Sequence, residues 1–215
     1  DSMDNISIII RNRNEAEFIG FAIQSCLDFF SKPEIIVMNN ESNDDSMEVV
    51  QYFNDRTNIS LQNVINYRPG QSINLAVNKA SKDYILILSG HAQITKLDFD
   101  LVKKELEQHK AVFGKQVPVY RGKRITPRYI WSNFTDDREI NKFSNIENRY
   151  FLHNAFCFYA KETLVKYPMP EIYASKEDRY WAKDMVDKKH TYLYDPSIEC
   201  CHFYTKNGAT WKGLG

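Results

Sequence analysis

The sequence is poor in the residues that would make it fibrous, disordered, stapled or membrane-spanning. Glycine (8) and proline (7) together make 15 of 215 residues, far below low-complexity or collagen-like composition. There are four cysteines, Cys26, Cys157, Cys200 and Cys201, and no C-x-x-C pair. So few thiols in a chain this long point to a reduced, cytosolic protein rather than a disulfide scaffold. No apolar run approaches the ~18 residues of a membrane span, and the N-terminus shows no basic-then-apolar signal pattern. Charge of one sign is also lacking. Lys+Arg 28 against Asp+Glu 28 gives a formal net charge of +0, so nothing draws the whole molecule toward nucleic acid or an anionic membrane. The one local imbalance is Lys115, Arg121, Lys123, Arg124 and Arg128, with no acid among residues 115–128. It reads as a solvated loop or as a site for a phosphate or an acidic glycan.

What is present is a core. Hydrophobic residues are 43% of the chain and aromatics 13%, and a chain of this size buries about 70% of its unfolded surface. Ile6, Ile8, Ile9 and Ile10 form a β-branched run too short for a helix, a buried strand that ends at polar Arg11 to Glu15. Phe18, Ile19, Ala22, Ile23, Cys26, Leu27 and Phe30 then share a helical stripe, with Asn14 and Glu17 spaced as a capping box for its start. Residues 34–38 predict a second strand, 44–53 a helix, 60–66 a third strand. Ser72 is placed to cap a helix carrying Ile73, Ala76, Val77 and Ala80, and 84–88 is the strongest strand signal. Such alternation predicts a parallel sheet with helices on both faces. Ligands bind such sheets at the carboxyl edge, so the loops at 11–15, 39–45 and 89–93 should converge.

Beyond Thr95 the rhythm loosens. Residues 97–109 predict a helix, 111–117 a strand, 151–159 an extended apolar segment and 176–188 a helix. Short strands follow around Tyr192 and over 199–203. The second half is expected to elaborate the same sheet. Residues 3–206 are taken as one domain, with a nucleotide-binding half at about 5–95 and an acceptor and catalytic half at about 96–206. The Gly-rich tail 207–215 reads as flexible, or as a loop that orders over bound ligand, and the natural chain is expected to continue past Gly215.

Six segments, in order, carry a resemblance: Ile8 to Glu15 (IIIRNRNE), Ile36 to Ser46 (IVMNNESNDDS), Gly70 to Tyr84, Ala111 to Pro118 (AVFGKQVP), Glu177 to Trp181 (EDRYW), and His202. Together they resemble a family 2 glycosyltransferase of the bacterial surface-polysaccharide, rhamnosyltransferase-like branch. The fold implied is α/β, GT-A (nucleotide-diphospho-sugar transferase), a Rossmann-like, mostly parallel sheet flanked by helices. The activity implied is inverting transfer of a sugar from a nucleotide-sugar, with UDP or dTDP favoured, to a glycan or lipid-linked acceptor in capsule, O-antigen or exopolysaccharide synthesis. A cytoplasmic enzyme follows, at the inner face of the membrane or in an assembly complex, with no nucleic-acid partner.

Carried over residue by residue, the resemblance makes Asp178 the general base, at a helix start whose dipole favours the charged form. Arg11, Asn12, Arg13, Glu15, Asn39, Gln71, Ser89, Gly90 and His91 fall on the nucleotide side. Lys115, Gln116, Glu177 and Trp181 fall on the acceptor and sugar side. Two departures matter. Asn39 stands where relatives have an acid, and Ser89-Gly90-His91 stands where most have D-x-D. Mg²⁺ prefers oxygen ligands whereas imidazole suits softer ions such as Mn²⁺, which leaves open a His91–His202 cation site (Mn²⁺ or Mg²⁺) and a metal-independent enzyme. The leaving diphosphate is expected to meet His91 and His202, a cation between them, or Lys206 or Lys212. The rival reading is a non-catalytic GT-A-like polysaccharide-binding or assembly module that has lost its metal site.

Overall fold

The computed structural model describes residues 3–127 and 129–205. Strands β1 (Ile6–Asn12), β2 (Glu34–Asn39), β3 (Asn58–Asn63) and β4 (Tyr84–Ser89) run parallel in the order β3-β2-β1-β4. Helices α1 (Ile19–Phe29), α2 (Ser46–Gln51) and α3 (Pro69–Lys79) make the crossovers between them. Side chains alternate across a strand, and the isoleucine runs use both faces. Ile8, Ile10, Ile35, Val37, Leu86 and Leu88 pack with α1 residues on one side. Ile9, Ile36, Ile85 and Ile87 pack with Ile73, Ala76 and Val77 of α3 on the other. Full burial of each such side chain contributes roughly 1.5–3 kcal/mol, which is why a run of apolar residues, rather than an alternating one, makes a central strand here.

After β5 (Ala92–Lys96) and α4 (Phe99–Leu106) come β6 (Val112–Tyr120) and the short β7 (Lys123–Arg124), β8 (Glu139–Ile140), β9 (Phe143–Ser144) and β10 (Arg149–Tyr150). Then follow β11 (Phe156–Ala160), α5 (Lys161–Lys166), α6 (Glu177–Asp187) and β12 (Leu193–Phe203). The main sheet reads β3-β2-β1-β4-β11-β6-β12-β5, with β7 on β6 and β8 on β12, so the second half extends the first half's sheet. No described helix is long and apolar enough to cross a membrane.

Several local expectations change. The capping box at Asn14 and Glu17 does not form. α1 starts at Ile19 with no side-chain cap, while Asn14, at φ 53°, accepts from the Asn43 N–H and ties two loops together. Ser72 lies inside α3, which starts at Pro69 because proline's fixed φ suits a first helical residue. The third strand sits about two residues earlier than its weak alternation indicates. The two late strands are one, β12, whose register against β6 shifts between Asp195 and Glu199. The four cysteines are free, including the adjacent Cys200 and Cys201. The tail 207–215, Lys206, Lys212 and Arg128 lie outside the described residues.

Candidate active site

At the carboxyl edge of the sheet lies a cleft of about 760 Å³. Arg11 and Asn12 enter it from the end of β1, Arg13 and Glu15 from the loop beyond, Asn40 after β2, and Ser89 and His91 from the end of β4 and its loop; Glu177, Asp178 and Arg179 form the facing wall. The position is dictated by topology. The chain turns one way from β1 to β2 and the other way to β4, and loops part at such a switch point.

Lys176, held at φ 62°, turns the chain into α6 so that both acids fall in its first turn. Both are buried. Asp178 is fully engaged: Oδ2 accepts from the Asn154 N–H at 2.9 Å, Oδ1 from the Arg179 N–H at 2.9 Å, and Nη1 of Arg179 lies 3.0 Å from each oxygen. Arg179 is itself held by both oxygens of Glu147, at 3.1 and 3.0 Å, over the ring of Phe151. Glu177 is equally buried but has fewer partners. Its Oε1 meets Nη1 of Arg11 at 3.2 Å and Nδ2 of Asn154 at 3.4 Å. Burial, then the charge of Asp178, pushes its pKa above the usual carboxylate value, with Arg11 opposing.

Opposite stand three imidazoles. His91 Nδ1 is 2.9 Å from Glu15 Oε1, and its ring lies 4.6 Å from that of His202. His202 Nδ1 meets Gln116 Oε1 at 2.7 Å, while the same amide's Nε2 is 3.0 Å from His153 Nδ1. Burial first, then neighbouring cationic or imidazole groups, lowers both His153 and His202 well below the usual histidine value, so both are neutral. His202 Nε2 is buried without a partner.

Glycosyl transferase family 2 matches the sequence over residues 7–167. The chain belongs to this family. The fold agrees. A Staphylococcus aureus TarS fragment in complex with UDP-GlcNAc superposes at TM-score 0.69 with 18% identity, over 95% of this chain and 60% of that one. A Pyrobaculum calidifontis mannosyltransferase with GDP-Man and Mn²⁺ gives 0.71 with 16% identity, over 97% and 59%. GalNAc-T7 with UDP, GalNAc and Mn²⁺ gives 0.69 with 12% identity, over 97% and 45%. The chain thus spans about three-fifths or less of these structures. No curated protein sequence matches.

In this family member the acid pair and His202 fall beyond the family-matched stretch, yet the fold returns them to the cleft. Other candidates do not line it. Trp181 is a core residue, 2% exposed, with its indole N–H on the Tyr167 carbonyl at 2.8 Å, and presents no face to a sugar. Asn39 is spent on a buried network, accepting from Asn12 at 3.2 Å and Ser42 at 2.5 Å and donating to Asn63 at 2.9 Å. Gly90 is needed against β1 rather than a ligand, since a Cβ there would sit 2.9 Å from the Arg11 carbonyl oxygen. Lys115 is paired with Asp136 at 2.6 Å, Gln116 is buried between histidines, and Gln71 lies in the first turn of α3, whose Pro69 lines the cleft while Gln71 does not. Residues 153–155, expected as plain extended chain, link the two walls: the Asn154 N–H meets Asp178 and His153 meets Gln116. The signal was there: a His-Asn pair interrupts an otherwise apolar run.

Among the described residues, no three His, Cys, Asp or Glu side chains group to hold a metal ion. The unpartnered Nε2 of His202, beside His91, fits a softer divalent ion that also takes oxygens from a ligand. It does not fit Mg²⁺ held by protein carboxylates.

Proposed function

We propose that the protein is an inverting glycosyltransferase that moves a sugar from a nucleoside diphosphate sugar to a hydroxyl of a glycan or lipid-linked saccharide, with Asp178 as general base. The observation that carries this is the position of Glu177 and Asp178 in the wall facing the loops of β1, β2 and β4. In the reaction, the acceptor oxygen bonds to the anomeric carbon as the bond to the diphosphate breaks, and the hydroxyl proton passes to Asp178. Arg179, held by both oxygens of Glu147, fixes that carboxylate in place for the transfer. Asn12 supports nucleotide binding, since its Oδ1 is buried without a partner and can accept from the ring N–H of a base. UDP or dTDP is the donor nucleotide favoured by the family resemblance. Arg13 and Lys176 line the cleft as cations for the leaving diphosphate. A divalent cation, when bound, would supply further charge neutralisation there, with His202 and His91 as its protein ligands. Capsule, O-antigen or exopolysaccharide synthesis in the cytoplasm, at the membrane's inner face, is the setting that fits such a product.

Glu177 supports a second assignment of the base, because its carboxyl has fewer partners and its pKa is raised. The experiment is release of nucleoside diphosphate from UDP- and dTDP-sugars by wild type and Asp178→Asn. Release by wild type, lost in the variant while nucleotide still binds, supports the proposal. Binding without any release favours a non-catalytic module.

A further inference from the structure

Gln116 does not itself line the cleft, yet it decides what the cleft presents. The decision starts at a group with no freedom. The backbone N–H of Ala155 lies 3.2 Å from His153 Nδ1, and a backbone amide can only donate. His153 Nδ1 therefore carries a lone pair. The Gln116 amide, 3.0 Å away, must turn its NH₂ toward that lone pair, which leaves its carbonyl facing His202 at 2.7 Å. A carbonyl only accepts, so His202 carries its proton on Nδ1. Its Nε2 is then a bare lone pair, buried without a partner, on a ring whose centroid lies 4.8 Å from that of Trp131 and 4.6 Å from that of His91. Packing holds Gln116, 1% exposed, and His202, 4%, while half-buried His153 is flanked by fully buried Asn154.

We infer that Gln116 is a positioning residue that locks His202 in the Nδ1–H tautomer, so that the cleft meets an obligate acceptor at this point. A phosphate oxygen cannot hydrogen-bond to a lone pair. On the proposed sugar-transfer reading, on which this consequence rests, the neutral ring offers the diphosphate no hydrogen and would meet it through a borderline divalent cation such as Mn²⁺. An imidazole that donates its other N–H is also the better cation ligand, and loss of such a partner typically costs 10–100-fold in metal affinity.

The test is a long-range ¹H–¹⁵N spectrum of the full chain labelled at histidine, without nucleotide or metal. The result expected is His202 protonated on Nδ1 only and His153 on Nε2 only. A wild-type His202 protonated on Nε2 overturns the inference, and this measurement needs no variant to fold. Gln116→Leu should release the His202 tautomer and weaken Mn²⁺ binding in the presence of UDP by about 10–100-fold. Gln116→Glu, which still accepts from Nδ1, should restore both. An unchanged tautomer and Mn²⁺ affinity in Gln116→Leu would also overturn it. If the tautomers are as stated and UDP does not bind wild type with or without Mn²⁺, the sugar-transfer reading fails while the Gln116 relay stands.

Discussion

Asp178 rests against Arg179, and Arg179 rests against both oxygens of Glu147, so one buried cation serves two carboxylates. Replacing the cation takes away the ion pair of Asp178 and leaves Glu147 only its longer contacts to Lys176 at 3.7 Å and Arg149 at 3.9 Å. Arg179→Met should therefore cost about 3–5 kcal/mol in urea denaturation, the usual penalty for breaking a buried pair from one side. The acids themselves separate by kinetics. Asp178→Asn should lower kcat by about 10²–10⁴-fold, the range for a lost general base, with nucleotide affinity retained in a calorimetric titration. Glu177→Gln should retain more of kcat and shift the acidic limb of the pH–rate profile downward, because the raised carboxyl is gone. The Glu-Asp pair is visible in the sequence because it is contiguous. Its partners are not: Glu147 lies 32 residues from Arg179 and Asn154 23 from Glu177, and no local spacing links them.

Elements carry the next level. α3 begins against the segment that leads to the acid pair, and a Cβ on Gly70 would lie 1.9 Å from the Pro170 carbonyl oxygen. Backbone cannot yield as a side-chain tip can, so Gly70→Ala should destabilise by about 3 kcal/mol and lower nucleotide-sugar turnover by moving residues 174–176 of the cleft wall. The link before β11 gives a pH signature. His153 and His202 have folded pKa values depressed below the ordinary 6.5, so they stabilise the native state above that value. As pH falls below it, the unfolded chain takes up protons the native chain refuses. Stability should decline by up to about 1.4 kcal/mol per pH unit for each group. His153→Gln should flatten the slope by one such share in denaturant titrations between about pH 5 and 7. Long elements were legible because their periods differ, as with the buried runs of β1 and β4 and the stripe of α1. β7 to β10 have two residues each, too few for any period, and they are set by tertiary pairing. The missed β5 does alternate, Ala92 and Ile94 being buried, but only over five residues.

At the scale of the molecule, the sheet explains why separated segments form one cleft. Parallel strands deliver every β-to-α loop of the first half to one edge, and the β11-β6-β12 extension brings His153 and His202 alongside. The convergence of the first three loops follows from strand-helix alternation alone. The closing wall does not, because the route from β6 to α6 passes through short irregular pieces without a repeating pattern. The proposed reaction depends on a nucleoside diphosphate lying across the switch point with its phosphate end toward Asp178. A crystal structure of the protein with UDP and Mn²⁺ decides this. The base should lie near Asn12 and the β-phosphate between His202 and the Glu177–Asp178 wall; a nucleotide bound outside this cleft, or with its phosphates directed away from Asp178, would refute the proposed arrangement.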